Sequence, residues 1–126
     1  MLRACYVILC YRSLATIPIS WINAINANAI LRTGMQDWVD HALGTGQPIE
    51  KFYTDPTIRQ YYKDWIRTLV TRTNSITGVK YVDDPTIFAW ELANEPRSGD
   101  NYEKNNGLTS GSLVCNWAKE MSAYIK

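Results

Sequence analysis

Asp84-Pro85-Thr86-Ile87-Phe88-Ala89-Trp90-Glu91-Leu92-Ala93-Asn94-Glu95-Pro96-Arg97 is the stretch on which the fold turns. Asp83-Asp84-Pro85 marks a turn, and without a third ligand it is not a metal site. Residues 87–93 follow, almost wholly apolar. That is the pattern of a strand buried on both faces, as in a parallel sheet covered by helices. Alternation places Ala89, Glu91 and Ala93 on one face and Phe88, Trp90 and Leu92 on the other. The bulky face suits packing beneath helices, and the small face with its carboxylate suits the interior of a barrel. A lone buried carboxylate is costly, so Glu91 is expected to pair with a base or a hydrogen-bond donor.

Helical signals flank this strand. Upstream, Thr54-Asp55-Pro56 reads as an N-cap followed by proline in the first turn. Ile58, Tyr61, Tyr62, Trp65, Ile66, Leu69 and Val70 then recur at helical spacing, a stripe that reads as packing rather than as a sugar platform. Earlier still, Met35, Trp38, Val39, Ala42 and Leu43 share a face, and Gly44 stands where a C-cap glycine belongs. His41 reads as a surface or capping residue. Downstream, residues 98–112 are expected to form a long polar loop. Leu113, Val114, Trp117, Met121, Tyr124 and Ile125 then mark a last helix. Residues 1–33 hold neither period 2 nor period 3.6 and receive no element. Helix and strand alternate, which defines an α/β architecture. With a single clear strand, the neighbours of that strand are expected outside the readable sequence or outside the chain.

Composition excludes several classes. The chain has 126 residues, 46% hydrophobic and 20% charged, with a formal net charge of +1. These values describe one ordinary globular domain and argue against a nucleic-acid protein held by phosphate contacts. The longest apolar run, Ala4 to Tyr11, is far too short to span a membrane. It is also unconvincing as the core of a signal peptide, so no clear targeting segment is read. Five Trp and eight Tyr are unusual in so short a chain. Such rings pack large cores and also line sites that bind sugar faces. Cys5, Cys10 and Cys115 form no metal-ligand pattern and leave the disulfide state open. With one histidine in the chain, no metal site is expected.

The chemistry concentrates at Asn94-Glu95-Pro96-Arg97, directly after the strand. In α/β folds catalytic side chains sit at the C-terminal ends of strands. A partly desolvated carboxyl there has a raised pKa and suits general-acid work near neutral pH. Asn94 offers a donor and an acceptor to a hydroxylated ligand. The alternative is an Asn and a Glu that merely cap a turn before proline.

The run from Asp84 to Arg97 resembles glycoside hydrolase family 5, and within it the endo-β-1,4-mannanases. Gly34-Met35-Gln36-Asp37-Trp38-Val39, Phe52-Tyr53-Thr54-Asp55-Pro56 and residues 117–126 carry the same resemblance, which covers about residues 34–126. It implies a (β/α)8 TIM barrel, incomplete here and confined to the region around the third and fourth β/α units. Residues 87–93 would be the fourth strand, the helix from Pro56 the third helix and the C-terminal segment the fourth. By the same resemblance Glu95 is the general acid/base, Asn94 binds the 2-hydroxyl of the sugar, and Arg97 binds on the leaving-group side. The implied reaction is retaining hydrolysis of internal β-mannosidic bonds in mannan, glucomannan or galactomannan. No metal, organic cofactor, nucleic acid, membrane or obligate protein partner is implied, and secretion is.

The departures are equally specific. The family's nucleophile glutamate belongs to a later strand, so none is expected in this chain. Where the family has Asn-Asn-Trp, this chain has Asn28-Ala29-Ile30-Leu31-Arg32-Thr33. Residues 1–33 form an unassigned segment, and 34–126 a partial catalytic domain. The chain alone is expected to be inactive. Two other readings stand beside this one: a truncated, non-catalytic chain with weak carbohydrate binding through Asn94 and Arg97, and part of a related β-1,4-glucanase.

Overall fold

The computed structural model describes residues 9–10, 15–18, 34–93 and 96–125. Strands β1 (Leu9–Cys10) and β2 (Ala15–Pro18) precede helices α1 (Met35–Leu43), α2 (Lys51–Thr54) and α3 (Pro56–Val70). A 3-10 turn at Tyr81–Asp83 leads into strand β3 (Ile87–Glu91), and helices α4 (Asp100–Asn105) and α5 (Ser112–Ile125) follow.

The helices begin and end where local chemistry dictates. The Asp55 carboxylate accepts from the Thr57 and Ile58 amides at 2.9 and 3.2 Å and caps α3. Pro56 takes the first turn, where an N–H would have no partner. At the end of α1, Gly44 adopts φ +85° and donates its amide to the Asp40 carbonyl at 3.0 Å. A side chain at that φ would be strained. His41 lies exposed in the last turn of α1, as expected. The Asp84 carboxylate closes the turn before β3 by accepting from the Thr86 amide and hydroxyl.

Strand β3 is central in a three-stranded sheet of order β1-β3-β2. It runs parallel to β2, with Thr16 opposite Ala89 and Pro18 opposite Glu91. It runs antiparallel to β1, with Leu9 opposite Trp90. Residues 1–33, left without an element by their lack of period, thus contain both neighbours of β3. Strands of two and four residues are too short to leave a period in sequence. The sheet is mixed rather than wholly parallel. Four residues separate β1 from β2, far fewer than the crossover needed to set them in one direction. Among the described residues the sheet is open and does not close into a barrel.

Two further expectations are corrected, and one element was not anticipated. Strand β3 stops at Glu91, so Leu92 and Ala93 leave the ladder while staying buried. The polar stretch 98–112 contains helix α4, organised around Glu103. Helix α2 is a single turn, below the length that periodicity detects.

The core is an aromatic cluster under one face of the sheet. Phe52 contacts Tyr62 and Trp117 at ring-centroid distances of 5.2 and 5.4 Å. Tyr53 meets Trp117 at 5.6 Å, and Trp38 meets Tyr62 edge-on at 5.5 Å. Trp90 and Leu92 of the bulky strand face join this cluster, with Ile58, Ile66 and Met121. The surplus of aromatic residues therefore serves packing first. The stripe of α3 is narrower than its spacing suggests: Ile58, Tyr62, Ile66, Leu69 and Val70 are buried, whereas Tyr61 is exposed. Cys115 is disulfide-bonded.

Candidate active site

The site region is the C-terminal end of β3. Its N-terminal side is set by Tyr62 of α3, whose hydroxyl donates to the Leu92 carbonyl. Asn94 and Glu95, the two residues with the strongest chemical reading, lie outside the described residues. Beyond them Arg97 is exposed, and its carbonyl accepts from the Tyr53 hydroxyl at 2.9 Å. That hydroxyl also lies 2.9 Å from the Met35 sulfur. Two residues further, the Gly99 amide donates to Glu50 Oε1 at 2.9 Å. A Cβ at Gly99 would lie 3.0 Å from that oxygen, so the close approach favours glycine.

Electrostatics follow from burial. Desolvation by burial is the main cause that pushes the Tyr53 phenol up to about 12, and the Glu50 carboxylate adds to the rise. The Tyr62 phenol is raised further, again chiefly by burial. Both hydroxyls therefore remain protonated donors throughout the physiological range.

Glu103 anchors the next turn of chain. It is buried, and its carboxylate accepts from the Gly111 amide at 2.6 Å and the Leu113 amide at 3.0 Å. Burial opposes its ionisation. The Leu113 and Gly111 amides and the Ser98 hydroxyl outweigh that and hold its pKa below the ordinary value. These bonds tie Ser98 to the start of α5.

Glu91 corrects its expectation. It is exposed at the end of β3, although Ile87 and Ala89 of the same alternation are buried, and no ion pair involves it among the described residues. Water solvates its carboxylate, which removes the need for a basic partner. Among the described residues no three His, Cys, Asp or Glu side chains gather as metal donors. No described helix is long and apolar enough to cross a membrane. Glu50, Tyr53, Tyr62 and Glu103 escaped sequence reasoning as residues of the site region. The only signal was that Tyr53 stands in one of the four family-like stretches.

A strand between two neighbours, with helices packed on it, defines an α/β protein, a class in which functional side chains commonly sit at strand ends. Comparison with known proteins narrows this class. A family model described as GH family 5 beta-mannosidase-like matches residues 17–126. The mannan endo-1,4-beta-mannosidase 1 of Arabidopsis thaliana is 43% identical over 93 residues, which cover 74% of this chain and 20% of that protein. The enzyme of the same name from Solanum lycopersicum is 48% identical over 77 residues, 61% of this chain and 18% of that one. Among solved structures, the endo-1,4-beta-mannanase of Rhizomucor miehei matches with a TM-score of 0.59 at 40% identity, covering 74% of this chain and 26% of that one. An endo-beta-1,4-mannanase from Thermotoga petrophila matches with a TM-score of 0.62 at 41% identity, covering 74% and 18%.

The chain belongs to glycoside hydrolase family 5, in its β-mannosidase-like branch. The match begins at residue 17, upstream of the Gly34 boundary read from motifs. The chain spans about a fifth of the length of the curated relatives it matches.

Proposed function

We propose that this chain carries the acid/base half of a retaining endo-β-1,4-mannanase site, with residues 34–126 as part of a (β/α)8 catalytic domain. The observation that supports this most is the sequence place of Asn94-Glu95, separated only by Leu92 and Ala93 from the end of a strand that runs parallel to β2, in a chain similar to mannanases over 74% of its length. Glu95 is the general acid/base. It protonates the leaving oxygen in the first step and deprotonates water in the second. Asn94 hydrogen-bonds the 2-hydroxyl, a contact that strengthens in the transition state. Arg97 binds on the leaving-group side. Retention requires a second carboxyl about 5–5.5 Å from the first. That nucleophile is expected from a later strand of the family's barrel, so the 126 residues alone are expected to be inactive. The substrate class is mannan, glucomannan or galactomannan. Such polymers lie outside the cell, and the disulfide-bonded Cys115 agrees with an oxidising, secretory route.

The test is a chimaera in which residues 34–126 replace the matching segment of the Rhizomucor miehei mannanase. Glu95→Gln in it is expected to lower kcat on mannan by about 10²–10⁴-fold. An aryl mannoside with a good leaving group should still react in the first step, and azide should restore turnover because it attacks without a general base. Near-normal hydrolysis by Glu95→Gln overturns the assignment. Asn94→Ala should lower kcat more than it raises KM, whereas a pure KM effect would leave Asn94 a simple binding residue.

A further inference from the structure

We infer that Tyr53 and Tyr62 are positioning residues that pin both ends of the segment bearing Asn94 and Glu95. This rests on the acid/base reading of Glu95 for its catalytic consequence, but the clamp itself stands on geometry. The Tyr62 hydroxyl donates to the Leu92 carbonyl, and the Tyr53 hydroxyl donates to the Arg97 carbonyl at 2.9 Å. Four residues lie between those two carbonyls, and Asn94 and Glu95 are the middle pair.

The two tyrosines do not act from independent supports. Phe52 touches Tyr53 and Tyr62 at 5.4 and 5.2 Å, and Trp117 touches them at 5.6 and 5.5 Å. One rigid aromatic cluster therefore holds both anchor points. Residues 92 and 93 lie past Glu91, the last residue of β3. The two tyrosine hydroxyls bond the backbone on either side of Asn94 and Glu95. Glu50 extends these contacts by accepting from the Gly99 amide. A general acid must be held within a fraction of an ångström of the glycosidic oxygen, and a misplacement of about 1 Å costs on the order of 10²-fold in rate.

The Arg97 carbonyl is also the group that trypsin attacks when it cuts between Arg97 and Ser98. Tyr53→Phe removes only the hydroxyl and keeps the ring in the cluster. In the 126-residue chain we expect this variant to be cut at Arg97 at least tenfold faster than wild type. Cutting at Arg72 and Lys80, which are exposed and lie outside the clamp, should not change. Equal rates at Arg97, or a uniform rise at all three sites, overturns the clamp. In the chimaera, Tyr53→Phe and Tyr62→Phe should each lower kcat on mannan by about tenfold or more, with KM and the pH profile unmoved. Unchanged kcat in both variants overturns the positioning role. If the unsubstituted chimaera is inactive, the acid/base reading fails, and the trypsin comparison alone decides the clamp.

Discussion

Glu103 shows how one side chain organises a stretch whose composition reads as loop. Its carboxylate gathers the amides of Gly111 and Leu113 and the Ser98 hydroxyl. Glu103→Ala would leave those donors without their acceptor in a buried place, at about 1–3 kcal/mol for each unsatisfied group. Urea unfolding, comparing midpoints at constant slope, measures the loss. The sign with pH follows from the lowered pKa. Above the unfolded-state pKa the ionised carboxylate contributes its full stabilisation, and this is lost as pH falls through the depressed folded-state value. The stability gap between wild type and Glu103→Ala should therefore be constant at neutral pH and narrow below about pH 4. A gap that widens on acidification would show that the carboxylate is not ionised in the folded protein.

Single helices depend on their ends and on the neighbours they meet. Asp55 caps α3 by two amide bonds, so Asp55→Ala should cost about 1 kcal/mol, read from the thermal midpoint. Between α3 and α5, Glu120 bridges Lys63 at 2.6 Å and Arg59 at 2.9 Å. Its hydrogen bond to Lys63, reinforced by the Arg59 charge, keeps its carboxyl below the ordinary value against the cost of partial burial. The Glu120 side chain is 32% exposed, so solvent screening limits the pair. Glu120→Gln should cost less than about 1 kcal/mol and should lose most of its effect in high salt. A large, salt-insensitive loss would mean that the bridge acts by packing instead. Capping and periodicity are local, which is why α1, α3 and α5 were legible from residues such as Asp55 and Gly44. Helix α2 and helix α4 are too short for that signal, and they exist because the aromatic cluster and Glu103 hold them.

At the scale of the molecule, the aromatic cluster joins α1, α2, α3 and α5 to the sheet. Trp117 meets Phe52, Tyr53 and Tyr62, and Trp117→Ala should cost about 3–5 kcal/mol, enough to unfold a marginal domain. Loss of the near-ultraviolet circular dichroism signal would record it. The sheet presents the outer sides of β1 and β2 without strand partners among the described residues. Such edges invite pairing with other chains. Expressed alone, the 126 residues are expected to release no reducing sugar from mannan and to self-associate on size exclusion. A monodisperse monomer that hydrolyses mannan would overturn the need for a nucleophile from elsewhere.

By itself the sequence determined the α/β class, the three longer helices, the central strand and the family. Each of these rests on short-range spacing or on runs such as Asp84–Arg97 that the chain spells out contiguously. It also marked Asn94 and Glu95 as residues with chemistry to offer, by their place after the strand, and Arg97 through the family resemblance. Only the tertiary structure decided that Leu9–Cys10 and Ala15–Pro18 flank β3 in opposite senses, that Glu91 faces water, and that Tyr53 reaches the Arg97 carbonyl. These are contacts between residues far apart in the chain, 44 positions apart for Tyr53 and Arg97. No period or cap encodes such a meeting. It arises when burial of the aromatic cluster brings the helices under the strand, and the backbone groups that leave the sheet then find the buried hydroxyls.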